Sequence, residues 1–182
     1  TEIQKLLDSK IHEERFVGLV ILISRFKVAQ NKKSLDLKAQ KEIFDFYMKN
    51  LYAQRINNWD LIDSTAPYLG YYLIGKPGTS KLLNQLAASE SLWERRAAVM
   101  FTFAFIREFE LDDTLRLCKK LLNDPHDLMH KACGWMLREL GKQDLGALRE
   151  FLDANGKKMP RTMLRYAIEK MSERERKEWL KR

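Results

Sequence analysis

Apolar residues recur at three- and four-residue spacing along almost the whole chain, and no alternating run is long or β-branched enough to make a strand. This periodicity restricts the chain to an all-α fold. Breaks in it fall at Asn31-Lys32-Lys33-Ser34, Asn57-Asn58, Gly75-Lys76-Pro77-Gly78, Asp124-Pro125, Gly141-Lys142 and Asn155-Gly156. They predict helices of about 8–16 residues with short connections, arranged as antiparallel pairs.

Several breaks precede helices that resemble one another: Glu13-Glu14-Arg15-Phe16, Glu94-Arg95-Arg96-Ala97, His130-Lys131-Ala132-Cys133 and Pro160-Arg161-Thr162-Met163. Their matched basic residues Arg15, Arg96, Lys131 and Arg161 are 81, 35 and 30 residues apart, and the segment 59–74 fills the double gap. Such a rhythm predicts a HEAT-like helical-repeat solenoid. The second helix of each pair would line its concave face, and a basic residue at the start of each would make that face a positive stripe suited to a duplex backbone. Residues 1–182 are read as a single domain of this kind, long enough to bury a continuous core.

The chain carries a formal net charge of +8, which favours a polyanion as partner. Residues 1–91 hold 13 basic and 10 acidic groups and residues 92–182 hold 20 and 15, so no basic tail supplies the excess. Cys118 and Cys133 sit in apolar helical patterns without metal-ligand spacing, which fits a reducing cytoplasm. The longest apolar run, residues 16–24, is far too short to span a membrane. No pattern predicts an oligomer interface, and a monomer is expected.

Several motifs dissolve on inspection. Residues 70–77 read G-Y-Y-L-I-G-K-P, but proline replaces the hydroxyl residue that a phosphate loop needs, and no strand precedes the first glycine. A helix ending at Gly75 explains them better. His126 and His130 stand four apart, the spacing of two metal ligands on one helix face, yet no third ligand is evident. No nucleophile motif, nucleotide fingerprint or zinc pattern appears, so no cofactor and no metal is expected.

Three segments joining tryptophan to charge remain: Asn58-Trp59-Asp60-Leu61-Ile62-Asp63, Trp93-Glu94-Arg95-Arg96 and Lys131-Ala132-Cys133-Gly134-Trp135-Met136-Leu137-Arg138-Glu139. Asp60 is adequately explained by a helix N-terminus. Asp63 is not, because an acid in a basic groove repels phosphate unless it works near a developing positive charge. Trp93 opens a strongly apolar helix and reads as a packing residue, whereas Trp59 and Trp135 remain open between packing and binding. Gly134 allows close backbone approach, for a ligand or for another helix. Only Arg96 of the Arg95-Arg96 pair shares the register of Lys131 and Arg161.

In this order and spacing the three segments resemble the AlkD-type DNA alkylation repair family over roughly residues 11–170, most closely over 57–139. The resemblance implies a HEAT-like solenoid that hydrolyses the N-glycosidic bond of cationic alkylated purines, N3-methyladenine and N7-methylguanine, in double-stranded DNA. It makes Asp63 the catalytic carboxylate, Trp59 and Trp135 aromatic walls beside the damaged nucleotide, and Arg96 a contact to the DNA backbone. It also implies recognition without a base-flipping pocket, hence little action on neutral lesions. Relatives carry further N-terminal helices that help hold DNA, and the chain, already helical in pattern at Thr1, is expected to lack them. Asn58 stands where some relatives have another tryptophan, and no role is placed on it.

Two other readings compete. A non-catalytic HEAT-repeat protein binding distorted or branched DNA would gain affinity from Asp63→Asn, since a repelling charge is removed. A protein scaffold would bind DNA weakly and with little salt dependence.

Overall fold

The computed structural model describes residues 1–181, and no strand occurs among them. The chain runs through α1 (Glu2–Leu7), α2 (His12–Ala29), α3 (Leu37–Tyr52), α4 (Trp59–Asp63), α5 (Ala66–Leu69), a 3-10 turn (Gly70–Leu73), α6 (Thr79–Ala87) and α7 (Leu92–Arg107). It continues through α8 (Asp112–Lys120), α9 (Asp127–Gln143), α10 (Leu145–Asn155), a second 3-10 turn (Gly156–Lys158), α11 (Arg161–Ala167) and α12 (Glu173–Lys181). Among the described residues no helix is long and apolar enough to cross a membrane.

The helices start where side chains can satisfy their orphan amides. Asp36 accepts from Ala39 N and Asp144 from Ala147 N, each at 2.9 Å. His126 caps α9, its Nδ1 accepting from Leu128 N at 3.2 Å. His130 meanwhile bonds the Asp124 carbonyl at 2.6 Å, so each member of this histidine pair is occupied in shaping the turn into α9.

Most sequence breaks fall in connections, and the departures have physical causes. α9 runs unbroken through Gly141 and Lys142 and stops at Asp144. Gly141 answers to packing: a Cβ there would lie 2.4 Å from Leu148 Cδ2, so the glycine lets α10 close onto α9. Residues 70–77 form a 3-10 turn and the loop leading to α6, where an α-helix ending at Gly75 was expected. α2 and α9 exceed the expected lengths, whereas α1, α4, α5 and α11 fall short of them.

The core is continuous and has α7 at its centre. α3, α4, α5, the first 3-10 turn, α6, α8 and α9 all pack on it. Ten residues of α7 are buried, including Phe101 and Phe105, which explains why its apolar pattern is almost unbroken. Tyr47 of α3 meets Phe101 edge-on with ring centroids 6.1 Å apart, and Phe44 stacks on Tyr72 at 4.6 Å. Trp93, at the start of α7, packs half-buried against this core. Cys118 and Cys133 are buried free thiols.

Candidate active site

α4 is only five residues long, too short to be stable alone, so its place is fixed by its neighbours. Leu61 and Ile62 are fully buried beneath it. At its C-terminal end the Thr65 hydroxyl bonds the Leu61 carbonyl at 2.6 Å and the Tyr47 hydroxyl at 3.0 Å. Asn58, rather than Asp60, is its N-cap, accepting from Trp59 N at 2.7 Å. Asp60 instead ties the helix to α2, since Oδ1 accepts from Leu61 N while Oδ2 meets His12 Nε2 of α2 at 2.7 Å. Arg15, one turn along α2, donates to Asn57 Oδ1 at 2.8 Å. Two side chains of α2 therefore clip the turn that presents Trp59 and Asp63.

Asp63 ends α4 and points at α7. Arg96 donates through Nε to Oδ1 at 2.8 Å and through Nη2 to Oδ2 at 2.7 Å, a fork matched to a carboxylate. Its third bond, through Nη1, goes to the Leu128 carbonyl at the start of α9. The pair is largely withdrawn from water, the side chains being 4% exposed for Arg96 and 13% for Asp63. Burial pushes the Asp63 carboxyl above its ordinary value; the bonds and charge of Arg96 pull it down, and the nearby Asp60 charge adds to the rise. Burial prevails, so this carboxylate is a stronger base than one on the open surface.

Arg96, expected as a contact to the DNA backbone, lines the cleft with its guanidinium largely buried and bonded to Asp63 and Leu128, so it also fixes the carboxylate. Lys131 is the exposed cation beside it, 41% accessible and paired with Asp127 at 2.8 Å. The basic register extends partway: Arg96 and Lys131 are each the fifth residue of their helices and Arg15 the fourth. Arg161 departs from it, being the first residue of α11 and bonded to the Leu180 carbonyl at 2.9 Å.

Trp59, Asp63, Arg96 and Trp135 line one cleft of about 320 Å³ together with Leu128, Lys131 and Tyr166. Trp59 is half-exposed, presenting its ring to solvent from the first position of α4. Trp135 is half-buried; its Nε1 donates to Glu139 Oε1 at 3.1 Å, and its ring lies against Phe103 with centroids 6.2 Å apart. A larger cleft of about 750 Å³, beside Phe109, is lined by carboxylates without a basic side chain, which makes it a poor host for a polyanion. The smaller cleft combines a largely buried carboxylate, a half-exposed cation and aromatic faces. That set suits a substrate that is anionic overall and becomes cationic where it reacts.

Tyr166, Leu128 and His12 carry no signal of this site in the sequence. Tyr166 sits on the short α11, outside the three tryptophan segments; Leu128 contributes through its backbone; and His12 acts from 48 residues away. Among the described residues no group of three His, Cys, Asp or Glu side chains is placed to hold a metal ion.

Residues 1–171 match the sequence model of a family described as "DNA alkylation repair enzyme", a span that reaches further towards the N-terminus than residues 11–170. No curated protein matches the chain.

Proposed function

The chain belongs to the DNA alkylation repair enzyme family, and from that premise we propose that it is a DNA glycosylase releasing cationic alkylated purines, N3-methyladenine and N7-methylguanine, from double-stranded DNA. The observation that carries this reading is the Asp63 carboxylate, held by the Arg96 fork in an open cleft walled by Trp59 and Trp135.

A purine alkylated at N3 or N7 already carries a positive charge and leaves as a neutral base, so its departure needs no general acid. The barrier lies in the deoxyribose, which becomes an oxocarbenium-like cation as the C1′–N bond breaks. Asp63 stabilises that cation by Coulomb attraction, which is strengthened where the surrounding protein lowers the effective dielectric. The same carboxylate orients the water that adds to C1′ and accepts its proton, as a base does in inverting glycosidases. Its raised proton affinity suits that role. Arg96 keeps Asp63 aimed and ionised, and Lys131 is the cation free to exchange Asp127 for a DNA phosphate, since an exposed ion pair contributes only about 0–1 kcal/mol. Trp59 and Trp135 add cation–π attraction of about 0.5–2 kcal/mol each at the charged nucleotide.

This reading includes the solenoid with a basic concave face as the surface that follows the duplex. It also includes recognition without base flipping, as the family resemblance implies. Uracil and hypoxanthine, whose glycosidic bonds are not weakened by charge, should therefore stay in place.

The test is release of free base from duplex DNA carrying N7-methylguanine. The expected result is release above the spontaneous rate by the wild type, reduced by at least about a hundredfold in Asp63→Asn, with DNA affinity kept or improved. Salt-sensitive DNA binding with no release by the wild type would make the protein a non-catalytic DNA binder. Efficient release of uracil or hypoxanthine would overturn the charge-based mechanism.

A further inference from the structure

α11 packs closely along α9, and the contact is set by one residue. A Cβ at Gly134 would lie 2.5 Å from Tyr166 Cβ and 2.6 Å from the Met163 carbonyl oxygen, with the Met163 Cα at 3.2 Å. Two of these three atoms are backbone, so no other residue fits without moving α11 away. Gly134 immediately precedes Trp135. The glycine thus draws α11 in at the level of that tryptophan and brings Tyr166 to the rim of the same cleft.

Tyr166 is 36% exposed, a large aromatic residue left open to solvent on a helix whose Met163, Leu164 and Ala167 are buried. Its hydroxyl makes no hydrogen bond with any described residue, whereas the indole N–H of its neighbour Trp135 is taken by Glu139. A phenol without a partner beside the Lys131 ammonium offers a neutral donor next to a cationic one. That combination suits a phosphate, the lysine supplying charge and the phenol supplying direction.

We propose that Tyr166 is a third aromatic wall of the site, its ring lying against the deoxyribose of the damaged nucleotide and its hydroxyl sharing an adjacent phosphate with Lys131. Gly134 is the spacer that makes this contact possible. The inference rests on the glycosylase reading and deepens it: the ring adds attraction to the sugar only as the sugar becomes cationic, and the hydroxyl adds to binding of the backbone throughout. The two parts of one side chain therefore act on different steps.

Single-turnover release of N7-methylguanine and affinity for the same duplex separate them, with wild type, Asp63→Asn, Tyr166→Phe, Tyr166→Ala and Gly134→Ala in parallel. Tyr166→Phe should keep the release rate and weaken DNA affinity by about two- to tenfold, the range of one neutral hydrogen bond. Tyr166→Ala should lose affinity similarly and also slow release by about tenfold, the scale of a desolvated cation–π contact. Gly134→Ala, which displaces the ring without altering it, should resemble Tyr166→Ala. A thermal melt shows whether that variant is folded; if it is not, the two Tyr166 variants decide. Release and affinity at wild-type levels in Tyr166→Ala, with Asp63→Asn inactive, would overturn the role of Tyr166 and leave the glycosylase standing. Wild-type affinity in Tyr166→Phe would overturn the phosphate contact, because the ring alone still fills the space. No release by the wild type would remove the glycosylase reading and this inference with it.

Discussion

The Asp63–Arg96 pair concentrates the energetics of the site in two side chains. Removing one partner of a buried pair costs about 3–5 kcal/mol, because the other charge is left without compensation. Arg96→Met should therefore lower the unfolding free energy obtained from urea titration at neutral pH by that order, and the sign of its pH dependence follows from Asp63. Without Arg96 only burial and the Asp60 charge act, both raising the Asp63 carboxyl above its unfolded value. A raised folded value means that stability is fully present below the unfolded pKa and is lost as pH rises through the folded one. The deficit of Arg96→Met should accordingly shrink as the solution is acidified, which urea titrations at several pH values measure. The acid limb of base release should move to higher pH in Arg96→Met and to lower pH in Asp60→Asn, since the latter removes a repelling charge. At this scale the sequence was informative about residue type: an acid that no cap explained and two tryptophans open between packing and binding share one cleft. It was silent about partners. The fork between Asp63 and Arg96 joins positions 33 apart, and nothing local in either segment distinguishes a free arginine from a buried, committed one.

Among the elements, α4 is the one least able to stand alone. It is a single turn, and its position depends on His12–Asp60 and Arg15–Asn57 across to α2 and on Asp63–Arg96 across to α7. His12→Ala should speed amide exchange of residues 59–65 while leaving α7 and α9 protected, and lower base release by about three- to tenfold through misplacement of Asp63. Because His12 and Asp60 act through one contact, the double variant His12→Ala/Asp60→Asn should lose little more than either single one. Helix existence was legible in the chain from its periodicity, and most ends were legible from turn residues such as Asn57, Asn58 and Pro125. Gly141 misled because a glycine can end a helix or admit a neighbour, and only the position of Leu148 decides between them. The shortness of α4 was likewise hidden, since Trp59-Asp60-Leu61-Ile62-Asp63 has a helical pattern whether or not the helix continues.

In the whole molecule, α7 couples the helices on either side of it. In a helical-repeat array each unit is held by its contacts with its neighbours, and the more of these are shared the more concerted unfolding becomes. Here α3, α4, α5, α6, α8 and α9 share one central helix, and the core cluster extends from Ile3 to Trp179. Urea unfolding should therefore appear as one transition, with far-ultraviolet circular dichroism and base release lost together; a plateau in either signal would show separable parts. The cleft itself gathers side chains from residue 59 to residue 166. Translation runs in that same direction, so a nascent chain displays its acid long before the wall on α11 has left the ribosome. Tyr166 is thus the last of the lining residues to be made, and a messenger truncated ahead of α11 yields a product whose cleft stands open where that ring should be.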